Sequence, residues 1–127
     1  MVAEGITTAR KMLDRLEAAI VARYLSTLIA LCTDHVVLFG SAQANFGPEE
    51  TGRYLRRVVD ANTVQWVLDR WAVLHHDDMT LLVAAEGHVE TDDGTSLERS
   101  AFRLTLWLIR DGQEWKIGHF HGSVPAS

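Results

Sequence analysis

Arg103 is a charged residue in a segment where the sequence predicts a buried strand. It lies between Phe102 and Leu104 in an alternating apolar run, and a buried guanidinium is costly unless it is paired or meets a ligand. Its planar, permanently charged fork suits carboxylates and polarised oxygens. We therefore expect Arg103 to point into a pocket, as a catalytic and ligand-binding group for an anionic or carbonyl-bearing molecule. The alternative is a structural ion pair with Asp69 or Glu86.

Asp69 is the second candidate catalytic residue. It shares one face of a predicted strand with Val67, Trp71 and Val73. If that face lines a pocket, a partly desolvated carboxylate could act as a general base. If the face lies at the rim, Asp69 is only a solubilising charge.

Further ligand-binding candidates share the predicted face of Arg103. Alternation along the C-terminal hairpin puts Thr105, Trp107 and Phe120 on this face. Such a mixture of aromatic walls and few polar groups is typical of small-molecule pockets. Tyr24, between two predicted helices, could present its phenol to the same pocket, or could simply pack at the helix junction.

His119 and His121 have the spacing of two metal ligands on one strand face. A metal site needs at least one further ligand, and the sequence points to none, so we expect no metal and no cofactor. Cys32 is the only cysteine and lies in an apolar run, which predicts a buried, reduced thiol. No Gly-x-Ser-x-Gly motif supports a serine nucleophile.

Composition limits the classes of partner. The chain has 127 residues, of which 47% are hydrophobic and 23% charged, as expected for one soluble domain. A net charge of -5 without a basic cluster argues against binding to nucleic acid. No apolar run approaches the roughly 20 residues of a membrane span. Without a recognisable signal peptide, we expect a cytoplasmic protein that does not enter membranes.

Hydrophobic periodicity predicts helices first and strands afterwards. Helices are predicted at residues 6–22, 24–32 and 47–60. Strands are predicted at residues 36–39, 64–75, 79–90, 102–110 and 114–123. This order predicts an α+β domain with three N-terminal helices packed on one face of a curved antiparallel sheet.

Both faces of the predicted C-terminal hairpin carry large apolar residues. An antiparallel sheet with one solvent-exposed face would not show this pattern. One face should therefore meet the helices and the other a second subunit. We expect a homodimer through the face that carries Leu104, Leu106, Leu108, Ile117, His119 and His121.

The end of the chain has a distinctive motif. An Asp-Gly turn is followed at residues 115–125 by Trp-Lys-Ile-Gly-His-Phe-His-Gly-Ser-Val-Pro. This hairpin resembles that of SnoaL-like domains of the nuclear transport factor 2-like, ketosteroid-isomerase-like superfamily, and it is similar to the association domain of calmodulin-dependent protein kinase II. The segment Leu-Cys-Thr-Asp-His-Val-Val-Leu at residues 31–38 and Gly47 resemble earlier parts of the family pattern.

The resemblance implies a cystatin-like cone with a pocket between the concave sheet face and the helices, and a dimer through the other face. It implies no particular chemistry, because this fold hosts enzymes, transport factors and scaffolds. Ketosteroid isomerases carry a base aspartate on the first strand, and the matching position here is Phe39, so we expect no such isomerisation. Two arginine positions of the kinase domain match Thr105 and Gly122, which leaves Arg103 as this chain's own basic pocket group.

Together these features predict a domain that binds a small molecule in a conical hydrophobic pocket. It could be a cofactor-independent acid–base enzyme, of the isomerase, cyclase or dehydratase type, acting on an apolar substrate with a carbonyl or carboxylate. A non-catalytic ligand-sensing or oligomerisation domain is the alternative. Strand register decides which side chains face the pocket, and the sequence leaves the register open.

Overall fold

The computed structural model describes residues 2–125. The helices are α1 (Val2–Ala22), α2 (Leu25–Ala30) and α3 (Gly47–Ala61). The strands are β1 (Cys32–Phe39), β2 (Ala44–Phe46), β3 (Thr63–His76), β4 (Thr80–Asp92), β5 (Leu97–Asp111) and β6 (Glu114–Ser123). The predicted order of helices and strands is confirmed, and the short β2 is an addition to it.

The six strands form one curved, open sheet in the order β2-β1-β6-β5-β4-β3. Strand β1 runs parallel to β6, while the other neighbouring pairs are antiparallel. The α+β class is confirmed, but the expectation of a purely antiparallel sheet is wrong. A parallel pair needs a long crossover, and the segment from β2 to β5 supplies one between β1 and β6.

The helices pack on one side of the sheet, which we call the inner face. Helix α1 buries a stripe at helical spacing that comprises Ala9, Met12, Leu13, Leu16, Ala19 and Ile20. Helix α3 adds Leu55 and Val59. Beneath the helices, four sheet residues are almost fully buried: Leu104, Leu106, Leu108 and Ile117. The expectation that these four form a subunit contact is therefore wrong, because they belong to the core.

A β-bulge at Gly118 explains the error. Ile117 pairs with Leu108, whereas the next cross-strand pair is His119 with Trp107, so Gly118 is an extra residue in β6. One extra residue exchanges the two faces for everything beyond it. The strict alternation assumed from the sequence therefore put the second half of β6 on the wrong side of the sheet.

Strand β3 contains a similar bulge at Asp69. Here Gly87 of β4 lies under the backbone of β3. A Cβ atom on Gly87 would collide with the carbonyl oxygen of Val67 and lie 2.8 Å from the Cα of Leu68. The missing side chain of Gly87 permits this approach. Beyond the bulge Trp71 turns to the inner face, where it joins the margin of the core.

The opposite, outer face of the sheet is exposed in the single chain. Its centre is apolar and aromatic, and it comprises Val37, Phe39, Leu82, Trp107, His119 and His121. Trp107 is 39% exposed. Within residues 2–125, no helix is both long enough and apolar enough to cross a membrane.

Candidate functional site

A cavity of about 380 Å³ lies between the inner face and helices α1 and α3. Most of the lining is apolar and comprises Leu16, Ile20, Leu38, Leu55, Val58, Val64, Trp66, Val89, Phe102, Ile117 and Phe120. The cavity occupies the place where the resemblance implied a pocket.

Aromatic rings form the wall of the cavity on the sheet side. The ring centroids of Trp66 and Phe120 are 5.8 Å apart, with the planes tilted by 57°. Phe120 reaches this wall only because the bulge at Gly118 reverses the alternation of β6. Gly122 completes the wall, since a Cβ atom there would collide with the ring of Phe102.

Tyr54 of α3 lines the cavity, and its hydroxyl lies beside Gly40, which also lines it. Burial raises the pKa of Tyr54, and nearby Arg57 opposes this shift, so the phenol is neutral at physiological pH. Its ring end packs against Gly40, where a Cβ atom would lie 2.5 Å from the hydroxyl oxygen. Among the described residues the hydroxyl has no hydrogen-bond partner, so it is free to bond to a ligand.

The other polar residues of the lining are Ser41, Asn62, Thr91, Glu98 and Ser100. Ser41 and Glu98 are exposed, so they mark the mouth of the cavity. Along β5 the alternate residues Glu98, Ser100 and Phe102 are exposed, half-buried and buried in turn. The inner side of β5 therefore runs from a carboxylate at the mouth to an aromatic ring inside.

Among the lining residues in the described range 2–125, Glu98 is the only acidic or basic one. Cys32 also lines the cavity, but burial raises the pKa of its thiol to about 11. It is therefore a neutral, weakly reactive group. Its thiol lies 3.6 Å from the carbonyl oxygen of Leu28.

Arg103 lies on the outer face. Its Nε is 3.9 Å from Oε2 of Glu86, and Nη1 of Arg70 is 3.2 Å from Oε1 of the same carboxylate. The side chain of Arg103 is 66% exposed. The expectation that Arg103 shares a buried face with Phe120 is wrong, because the bulge in β6 separates them. The ion pair with Glu86, which we considered as the alternative, is present.

Arg103 and Thr105 instead line an open depression of about 550 Å³ on the outer face, which we call the outer depression. His121, Ser123, Arg70 and Glu86 also line it. Binding of an anionic or carbonyl-bearing ligand at Arg103 stays a prediction, now for the outer depression and not for the enclosed cavity.

The structure does not bring the remaining predicted residues together. Asp69 is the exposed extra residue of the β3 bulge, and it lines neither the cavity nor the outer depression. Trp107 faces outward beside His119. Tyr24 lies at the junction of α1 and α2 and is 63% exposed. Of the predicted set, Phe120 alone lines the cavity.

Sequence reasoning missed Tyr54, Asn62, Glu98 and Ser100 as cavity residues. A signal for two of them was present, because Glu98 and Ser100 continue the alternation of Phe102 towards the start of β5. Tyr54 falls in the helix predicted at residues 47–60, but its position in the sequence gave no sign that it would line a cavity.

The histidine pair belongs to the outer face. His119 donates from Nδ1 to the carbonyl oxygen of Val37 at 2.7 Å. The rings of His119 and His121 both make edge-to-face contacts with the ring of Phe39, at centroid distances of 5.2 and 5.4 Å. No group of three or more metal-ligating residues occurs within residues 2–125.

Phe39 therefore does not face the cavity; its neighbour Leu38 does. Strand β1 lines the cavity with Cys32 and Leu38, neither of which is a carboxylate. The absence of ketosteroid isomerase activity stays a prediction. Its reason is now that the residue of β1 facing the cavity is Leu38, which cannot act as a base, and not Phe39.

The family model described as a SnoaL-like domain matches residues 9–127. The chain belongs to the SnoaL-like domain family. This agrees with the helix-backed sheet described above. No protein of curated function matches the sequence.

Solved structures with the same fold are distant in sequence. A protein from Streptomyces avermitilis, provisionally named a dehydratase of the NTF2-like family, has a TM-score of 0.80 at 18% identity, over 95% of this chain and 96% of its own. A provisionally named calcium/calmodulin-dependent protein kinase II association domain from Xanthomonas campestris has a TM-score of 0.78 at 16% identity, over 94% of this chain and 86% of its own. A provisionally named scytalone dehydratase from Novosphingobium aromaticivorans has a TM-score of 0.80 at 7% identity, over 95% of this chain and 84% of its own. At these identities the likeness shows the fold.

Proposed function

We propose that this SnoaL-like domain binds a small apolar molecule in the cavity between the inner face and helices α1 and α3. The cavity volume of about 380 Å³ falls within the range of roughly 300–1,000 Å³ that is usual for ligand pockets. Its apolar walls and few polar groups also fit that class. The observation that carries the proposal is an aromatic cavity lined by Tyr54, whose hydroxyl lies beside Gly40 and has no hydrogen-bond partner among residues 2–125.

The lining suggests how the ligand would sit. A ring system would pack against Trp66 and Phe120, because offset or tilted aromatic contacts are favourable beyond their buried area. A carbonyl or hydroxyl oxygen on the ligand would accept a hydrogen bond from Tyr54. The polar side chains at the mouth would then contact the end of the ligand that stays near water.

A pair of adjacent substitutions in β5 tests the cavity. Ser100→Phe places a ring inside it, whereas Ala101→Phe places the same ring on the outer side, where Ala101 is exposed. We expect 2-naphthol to quench the fluorescence of wild-type protein and of Ala101→Phe, since Trp66 lies in the cavity wall. Ser100→Phe should bind at least tenfold more weakly. Equal binding by both variants would place the naphthol elsewhere and refute the proposal.

Catalysis is the alternative function. The cavity offers a carboxylate, Glu98, and a phenolic donor, Tyr54, as its acid–base groups. Some structural relatives are provisionally named as dehydratases. This alternative predicts that the protein accelerates exchange of the α-protons of 2-tetralone in D₂O, and that Glu98→Gln abolishes the acceleration. Exchange at the uncatalysed rate would leave binding as the function.

We also propose a homodimer, through the outer face and not through the buried leucines. The centre of this face exposes Trp107, with Val37 and Leu82 beside it. An exposed apolar patch of this kind marks an interaction surface. Two structural relatives are provisionally named as association domains, which supports assembly. The outer depression with Arg103 would then lie at or beside the contact.

A further inference from the structure

We infer that the cavity selects ligands with a positively charged amine at the end nearest its mouth. This inference rests on the proposed binding function and names the class of ligand. It comes from the charges of the lining, where Glu98 supplies a negative charge and no residue of the described range 2–125 supplies a positive one. The lining of the outer depression instead has an excess of positive charge, because Arg70 and Arg103 flank the single carboxylate of Glu86.

Glu98 is placed to meet the exposed end of a bound ligand. It pairs across the sheet with Thr91, which also lines the cavity. Phe102, four residues further along β5, is buried in the aromatic wall. A ligand with its ring near Phe102 would therefore present its other end to the carboxylate of Glu98.

The carboxylate of Glu98 is free for this role. Two glutamates of β4 are neutralised locally: Glu86 by Arg70 and Arg103, and Glu90 by Arg99 at 3.8 Å. Within residues 2–125, Glu98 has neither an ion pair nor a side-chain hydrogen bond. Its neighbour Arg99 projects to the opposite side of the strand, towards Glu90, and does not compensate it.

The remaining titratable groups of the cavity add no charge. Burial raises the pKa values of Tyr54 and Cys32, which keeps both groups neutral. An anionic ligand would meet the carboxylate of Glu98 without any compensating cation. An amine at the mouth would keep much of its hydration, so it would gain the attraction without the large cost of burying a charge.

Three probes with one ring system separate charge from shape. They are 2-naphthylmethylamine, which is protonated at pH 7, neutral 2-naphthylmethanol and anionic 2-naphthoate. Titrations at low ionic strength should rank the amine first and the naphthoate last. The amine should bind about three- to fivefold more tightly than the alcohol, which is the size of an exposed ion pair. This preference should shrink in 0.5 M salt.

Glu98→Gln tests the residue directly, because it keeps shape and removes charge. It should bring the affinities for amine and alcohol to within a factor of about 1.5, which is what loss of an exposed ion pair implies. Glu114→Gln removes an exposed carboxylate at the β5–β6 turn and should leave the wild-type preference intact. This control accounts for general attraction of a cation to a protein of net charge -5.

The results distinguish this inference from the proposed function. If wild-type protein binds the alcohol in the cavity but shows no preference for the amine, the inference is wrong and the binding function stands. The same conclusion follows if Glu98→Gln keeps the full preference. If none of the three probes binds, both are overturned.

Discussion

The carboxylate of Glu17 accepts a hydrogen bond from the backbone N–H of Trp66 at 2.8 Å, joining α1 to β3 across 49 positions of the sequence. Strand β3 is an edge of the sheet, and unpaired edge groups are templates for unwanted pairing. Arg10, two turns earlier in α1, donates to the carbonyl oxygen of Leu68 at 3.0 Å and stacks over Trp71. Polar side chains of α1 thus satisfy edge groups of β3 while its apolar stripe packs on the core.

Loss of this contact should destabilise the fold. In Glu17→Ala the N–H of Trp66 loses its acceptor in a partly buried site, so we expect a loss of about 1 kcal/mol in the free energy of unfolding. Glu17→Gln keeps an oxygen acceptor and should lose less. Urea denaturation of the three proteins at pH 7 checks this order. An alanine variant as stable as wild type would show that water replaces the carboxylate without cost.

The same residue predicts a pH dependence. Burial raises the pKa of Glu17, and the hydrogen bond from Trp66 only partly offsets it. A raised pKa in the folded state means that folding favours the protonated acid, so the contribution of Glu17 to stability increases as pH falls through the folded pKa towards the ordinary value of 4.5. The stability of Glu17→Gln relative to wild type should therefore be higher at pH 7 than at pH 4. A difference that is the same at both pH values would contradict the raised pKa.

Two glycines should respond to alanine in opposite directions. Gly87→Ala forces a Cβ atom against the backbone of β3, which cannot move without breaking the bulge, so we expect a loss of about 1–3 kcal/mol. Gly52→Ala lies within α3, where the nearest atom is the flexible end of Ile29 at 3.3 Å. Alanine is a better helix former than glycine by about 1 kcal/mol, so this variant should gain stability. Thermal unfolding of both variants checks the prediction, and destabilisation by Gly52→Ala would show that Ile29 cannot adjust.

The helices and the order of the strands were predictable, because an apolar stripe such as Leu13, Leu16 and Ile20 repeats at a period that only a helix satisfies. The start of β1 was misjudged. Cys32 was assigned to the preceding helix, but it pairs with Ile117 of β6, a contact 85 residues away that no local pattern reveals. The parallel pairing of β1 and β6 was missed for the same reason.

The two sheet faces could not be assigned from the sequence. Both carry large apolar residues, and each bulge moves the side chains beyond it to the opposite face. Gly118 and Asp69 each add one residue to a strand, and each reverses the alternation beyond it. Phe120 lines the cavity, whereas Arg103 was placed on the same face by counting across an undetected bulge. A glycine within a strand is a recognised sign of a bulge, so Gly118 was the available clue.

Cys32 should be almost inert in the folded protein. Burial raises the pKa of its thiol from 9.0 to about 11, so the thiolate fraction at pH 8 is about a hundredfold smaller than in the unfolded chain. Burial of the side chain slows access further. We expect iodoacetamide to label Cys32 slowly in native buffer and rapidly in 6 M guanidinium chloride, as followed by intact-protein mass spectrometry. Equal rates would show that the helix α2–β1 junction opens readily.

The proposed dimer contact depends most strongly on Trp107. Trp107 is 39% exposed in the single chain, which is a large apolar area for one residue. Its cross-strand neighbours Leu82 and His119 extend the patch. Buried tryptophans at the centre of an interface often contribute 2 kcal/mol or more to binding. We therefore expect wild-type protein to be a dimer at about 10 μM by light scattering coupled to gel filtration. Trp107→Glu should be monomeric, because the contact would bury an unpaired charge.

Met79→Glu is the matched control for the Trp107 variant. Met79 is 56% exposed, but it lies in the turn between β3 and β4 and away from the centre of the outer face. The Met79→Glu variant introduces the same charge as Trp107→Glu but should leave the dimer intact. Both variants should keep the wild-type circular dichroism spectrum, since neither side chain is part of the core. A monomeric wild type would refute the dimer, and dissociation by Met79→Glu with retention by Trp107→Glu would place the contact elsewhere on the chain.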